Sequence, residues 1–184
     1  MMDLAYAIGV GLPYMVLLGQ IWIIATLIAW GLTSHVSAAK RYINLVREHA
    51  STGALVVSGA AVLGSLFYSE VIGFVPCRLC WYQRILMYPQ ALLFAGAVIR
   101  EKLFIRRELL VLGVLGLLLS GYHYALQMFA MATPGYSDAC VATGVSCAST
   151  EVFAFGYMTI PLMSFTAFAM ITLLLALARH HETL

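Results

Sequence analysis

Five times along the chain the sequence stays apolar long enough to cross a bilayer, and that repetition excludes nearly every soluble architecture. The stretches run from about Leu4 to Leu32, Ala54 to Val75, Trp81 to Ile99, Leu109 to Met131 and Phe153 to Ala178. Hydrophobic residues make up 62% of the 184 positions and charged residues only 10%. A soluble domain carries roughly a quarter of its residues as charge, and a globule of this size has too little interior to hide so much apolar surface. Within each stretch the apolar character is continuous, whereas barrel strands alternate. Backbone groups in lipid must pair within their own segment, so the spans are expected to be helices. The expected fold is an all-α integral membrane protein. A net charge of +2 carries no nucleic-acid signal.

The position of the charges sets an orientation. Lys40, Arg41 and Arg47 lie in the first connection, Arg100, Lys102, Arg106 and Arg107 in the third, and Arg179 after the last span. These connections and the C-terminus are therefore expected to be cytoplasmic. The N-terminus and both cysteine-bearing connections are expected outside. The first span begins Met1-Met2-Asp3, with its basic residues after it, and is longer than a signal-peptide core; it reads as a retained helix.

The four cysteines fall in two pairs on that outer side. Cys77 and Cys80 form a Cys-x-x-Cys after Pro76, a residue suited to opening a helix. At a helix N-terminus the dipole stabilises a thiolate, and Arg78 adds positive charge. Cys140 and Cys147 lie in the connection from about Ala132 to Thr150, where Pro134 to Asp138 reads as a turn and Gly144 lets the chain bend. Three chemistries are open to such a set: redox exchange, static structural disulfides, and a zinc site. If the thiols are redox-active, no thiol is expected to reach the cytoplasm. Electrons would then arrive from an outer donor and leave to an acceptor dissolved in the membrane, for which a quinone is the obvious candidate.

Ionisable residues inside a membrane are costly and so mark function by default. Arg84 follows Cys80 by one helical turn, Glu70 precedes Pro76 by six residues, and His123 lies within two turns of the end of its span. All three are expected at one shallow depth beneath the cysteines, with Gln83 and Gln127 in the same layer. Arg84 suits a quinone carbonyl; snorkelling, or pairing with Glu70, is the alternative. Glu70 and His123 are candidate proton relays, and a hydrogen-bonded helix contact is the plainer reading of the histidine.

In order along the chain stand Ser69-Glu70, Pro76-Cys77-Arg78-Leu79-Cys80-Trp81-Tyr82-Gln83-Arg84-Ile85 and Met87-Tyr88-Pro89. Tyr122-His123-Tyr124-Ala125-Leu126-Gln127, Cys140, Cys147 and Gly156-Tyr157-Met158-Thr159-Ile160-Pro161 complete the set. It resembles the disulfide bond formation protein B (DsbB) family, in particular its BdbC-like branch. The resemblance implies a four-helix transmembrane bundle over residues 51–184, preceded by an extra transmembrane helix and its cytoplasmic connection over residues 1–50. It implies a bacterial cytoplasmic-membrane enzyme that reoxidises a thioredoxin-like, DsbA-type dithiol oxidase and passes the electrons to quinone (ubiquinone or menaquinone), with no dedicated metal. Carried over by residue, Cys140 would take the mixed disulfide, Cys147 would resolve it or exchange with Cys77, and Cys80 would face the quinone beside Arg84 and His123. Two features depart from the family pattern: the first helix, and the mere six residues between Cys140 and Cys147. A vitamin K epoxide reductase-like bundle is the enzymatic rival, but there the loop cysteines precede the reactive pair, the reverse of the order here. A disulfide- or zinc-stabilised scaffold is the non-catalytic alternative.

Overall fold

The structure is a computed structural model in which residues 2–100, 105–133, 135–136, 140 and 144–178 are described, residues 2–8 by their backbone only. Among the described residues six α-helices follow one another: α1 (Met2–Gly31), α2 (Ser37–Glu48), α3 (Ala50–Leu66), α4 (Arg78–Ile99), α5 (Arg106–Ala132) and α6 (Ile160–Leu177). Among the described residues there is no strand, only one isolated bridge between Ala154 and Met158. Four segments are long and apolar enough to cross a membrane: Gly9–Gly31, Ala50–Val71, Arg106–Ala132 and Ile160–Leu177. The remaining expected span, α4, has the length at 22 residues. Its hydropathy is lowered by Gln83, Arg84 and Gln90, and both glutamines are buried inside the bundle. The protein is an all-helical, multi-pass membrane protein.

The core is where α3, α4, α5 and α6 meet, around Phe94, Leu109, Phe168 and Ile171. Small residues let the helices close up. A Cβ on Gly116 of α5 would run into the Phe168 ring of α6, and one on Gly113 would lie 2.8 Å from Thr172 Oγ1. At the end of the bundle away from the cysteines, Arg106 donates to Leu175 O at 2.8 Å and Ala176 O at 3.2 Å. It thereby pairs carbonyls that the end of α6 leaves without a helical donor.

Three expectations need correction. The first basic connection is not merely a connection, because Ser37–Glu48 is a helix. Its Ala39 and Ile43 are buried, Ile43 against Leu173 and Leu177 of α6, while Lys40 and Arg41 point outward. The last span begins at Ile160, not Phe153. Phe155 and Gly156 both adopt positive φ (56° and 77°), which folds Ala154–Met158 into a tight turn. No helix passes through such a pair, and Pro161 then starts α6 in its first turn. The second span starts earlier than expected, at Ala50, and ends in a π-helical turn, Phe67–Val71. Pro134, Ser137, Asp138, Lys102, Arg179 and the terminal histidines lie outside the described residues. Gly144 bends the chain with φ of 114°.

Candidate redox site

Cys77 is the N-cap of α4, in extended backbone, so the helix starts at Arg78, two positions after Pro76. Its sulfur accepts the Cys80 N–H at 3.3 Å and lies 2.9 Å from the Cys80 sulfur. One turn of helix thus brings both sulfurs together at the positive end of α4. Both are free cysteines; Cys140 and Cys147 form a disulfide with Cα atoms 5.7 Å apart. The Cys77 thiol is held well below the ordinary range, first by the hydrogen bond from Cys80 and then by His123, against the opposing effect of burial. Charge stabilisation thus converges on Cys77, the outer residue of the pair.

His123, on α5 and almost wholly buried, ties the two couples together. Its Nε2 lies 2.9 Å from Cys147 O and 3.7 Å from Cys77 Sγ, while its Nδ1 lies 3.0 Å from Gln83 Nε2. The amide donates to Nδ1, so the proton of the neutral ring sits on Nε2 and points at the Cys147 carbonyl. One turn further along α5, Gln127 Nε2 donates to Ser149 O at 2.7 Å. The loop carrying the disulfide is therefore pinned to α5 through two backbone carbonyls. Gln127 Oε1 is buried and has no partner.

Arg84 turns away from Glu70. Its Nε donates to Ser65 Oγ at 2.9 Å and its Nη2 to Ser65 O at 3.0 Å, and its guanidinium lies over the Trp81 ring, 5.4 Å from the centroid. Glu70 is exposed in the π-helical turn and accepts from Ser69 Oγ at 2.9 Å. Cys77, Cys80, Gln83, Arg84, His123 and Gln127 all line one cavity of about 570 Å³ with Cys147. Glu70 is not among its walls. Ser65 and Tyr88, bonded to each other at 3.4 Å, are the site residues that sequence reasoning missed. The available signal was Ser65 itself, a polar residue near the outer end of an apolar helix at the depth expected for Arg84.

Cys77, Cys80 and His123 present three donor atoms within 4.8 Å of one another, a geometry that a soft divalent cation accepts. The walls also fit a quinone. The cavity is mostly apolar, has the volume of an ordinary small-molecule site (about 300–1,000 Å³), and holds at one end two thiols, a guanidinium and the orphaned acceptor of Gln127.

Fold and site together define a membrane-embedded thiol–disulfide oxidoreductase: a helical bundle carrying one dithiol and one disulfide around a shared histidine. The family model described as disulfide bond formation protein DsbB matches residues 47–178. Disulfide bond formation protein C of Bacillus subtilis (strain 168) is 38% identical over 130 residues, 70% of this chain and 91% of that protein. A probable disulfide formation protein of Oceanobacillus iheyensis is 43% identical over 114 residues, 62% of this chain and 77% of its own. One of Chlamydia pneumoniae is 39% identical over 141 residues, 76% and 98% respectively. No solved structure matches the chain. The chain belongs to the DsbB family of disulfide bond formation proteins.

Proposed function

We propose that the chain reoxidises a thioredoxin-like, DsbA-type dithiol oxidase outside the cytoplasmic membrane and delivers the electrons to membrane quinone. The observation that carries this reading is the gathering of Cys77, Cys80, His123 and the Cys147 end of the loop disulfide around one apolar cavity. Lys40, Arg41, Arg47, Arg100, Arg106 and Arg107 lie toward the opposite end of the helices from the cysteines, which supports a cytoplasmic basic end and an outer cysteine end. In this reading residues 51–184 are the redox bundle and residues 1–50 an added helix with its connection.

The exchange runs thiolate by thiolate. A partner thiolate attacks Cys140, which is half-buried where Cys147 is fully buried. The Cys140–Cys147 bond breaks and Cys147 leaves as thiolate. The partner's second thiolate then displaces Cys140, so the partner departs oxidised and the loop couple holds the electron pair. Cys147 next attacks Cys77 of an oxidised Cys77–Cys80 pair, releasing Cys80. Cys140 closes on Cys147 and releases Cys77 as the thiolate that its N-cap position favours. The loop is again a disulfide and Cys77 and Cys80 are thiols, the redox state of this structure. A bound quinone supplies the final sink, taking two electrons and two protons from this pair. Arg84, anchored on Ser65, is the donor that would orient it, and the free acceptor of Gln127 would receive a hydroxyl of the quinol. His123 holds the loop in register with Cys77, and Glu70, exposed beside Ser69, is left as a candidate proton donor at the rim.

The test is reconstitution with a thioredoxin-like dithiol oxidase and a quinone, followed by quinone absorbance. Turnover is expected to vanish in Cys80→Ser and to fall about tenfold or more in Arg84→Ala, the usual scale for losing one oriented charged donor. Cys147→Ser leaves Cys140 as a lone thiol, and an oxidised partner added to it is expected to be held on Cys140 as a mixed disulfide. Normal oxidation of the partner by Cys140→Ser would overturn the order of exchange.

A further inference from the structure

The helix that precedes the family-matched segment is built into the site. α1 ends at Gly31, before the matched residues 47–178 begin. It is nevertheless docked in one rotation by specific contacts. Gln20 Nε2 donates to Thr166 Oγ1 of α6 at 3.2 Å, and its Oε1 accepts from Tyr157 OH at 2.8 Å. Thr26 and Tyr42 of α2 share a hydrogen bond at 2.8 Å, and the Tyr14 ring meets Phe155 edge-on at 5.0 Å. In that rotation Leu12, Val16, Gly19 and Trp22, spaced three or four apart, form one stripe along the cavity wall. Ile21, Ile24 and Ile28, on the other side, are exposed.

The cavity divides by chemistry along its length. Its sulfurs, Arg84 and Gln127 sit at one end. From Ser65, which Arg84 grips, to Val56, the last α3 residue on the wall, is about 13 Å at the rise of an α-helix. Over that distance α1 and α3 offer only apolar groups, and on the facing side Thr166 is already bonded to Gln20. A second cavity of about 390 Å³ shares Trp22, Val56, Val57 and Met170 with the first and continues it towards His49 and Thr52.

We infer that α1 completes a groove for the polyprenyl tail of the quinone, with the ring at the thiols and the tail running between α1 and α3. The inference rests on the quinone reading above and adds to it the part of the molecule that selects the acceptor by its tail. The unpartnered acceptor of Gln127 at the sulfur end of the groove suits the reduced form of this occupant, whose quinol hydroxyl can donate to it. Gly19 is small because the Met170 sulfur lies 2.9 Å from where its Cβ would stand, so α1 approaches α6 closely and the groove stays on the α3 side.

The test uses the full-length protein in phosphatidylglycerol vesicles and a quinone carrying a diazirine at the end of a short isoprenoid tail. Photolabelled residues are expected within 12–22 and 56–64, with labelling suppressed by excess unmodified tailed quinone. Label confined to outward positions such as Leu92 and Val111, or label that tailed quinone does not suppress, overturns the groove and leaves either free lipid or a bound acyl chain in its place. Ala61→Phe, which fills the groove about one turn below Ser65, is expected to lower the ratio of KM for tail-free quinone to KM for tailed quinone about tenfold, the scale of a few buried methylenes. An unchanged ratio, including one in which both constants rise together through misfolding, counts against it. If the wild-type protein reduces neither quinone, the quinone reading itself fails; if it reduces both without tail preference and without label on α1, only the groove fails.

Discussion

Two donors converge on the Cys77 sulfur, the Cys80 thiol and the Cys80 amide, and the His123 ring lies 3.7 Å from it. Each favours the thiolate, so the folded pKa lies below that of an unfolded thiol, about 8.5. The stability this gives the reduced form is complete above the unfolded value and is lost as pH falls through the folded one. Alkylation of the reduced protein by iodoacetamide is therefore expected to stay on its plateau well below pH 8 and to decline only in acid. Cys80→Ala removes the largest contribution and is expected to move the midpoint up further than His123→Ala does. A midpoint at the ordinary thiol value in the unmodified protein would show that Cys77 is not so held. The same histidine has both ring nitrogens engaged, since Nδ1 faces an amide N–H and Nε2 carries the proton. To accept a proton it must first have the Gln83 amide turn over.

Helix contacts show what the sequence revealed and what it hid. Gly116→Ala on α5 is expected to lower stability by about 1–3 kcal/mol, because the new methyl meets the fully buried Phe168 ring with no room to relax. Thermal unfolding in detergent checks it; an unchanged Tm would mean that α5 and α6 separate easily. The existence and number of the long helices were legible because apolar length is a direct reading of the bilayer's thickness. α2 was hidden by its charges, although Ala39, Ile43, Val46 and Ala50 fall at helical spacing. The start of α6 was hidden because Phe153–Ile160 is apolar, and composition does not report the torsions of Phe155 and Gly156. The site was legible wherever depth alone decided, as for Cys80, Gln83, Arg84, His123 and Gln127. Glu70 shares that depth but not the direction, since the π-helical turn at Phe67–Val71 alters the angular register of α3 just before it.

On the scale of the whole molecule, the basic and cysteine-bearing ends are separated by the length of the helices. A membrane-impermeant maleimide added to intact cells is expected to reach Cys140 once the loop disulfide is reduced, and to miss a cysteine introduced at Ser37 at the start of α2. Labelling at Ser37→Cys from outside would invert the orientation. Between those ends, the chain that carries the loop disulfide also closes one side of the cavity, through Val145, Cys147 and Ser149, and is fastened there by the His123 and Gln127 hydrogen bonds. Were the loop drawn outward, those two bonds would break and the chamber would lose its roof in one movement. Water would then reach Cys77 and raise the local dielectric, so that a displacement at one sulfur couple would reset the electrostatics of the other with no further moving part.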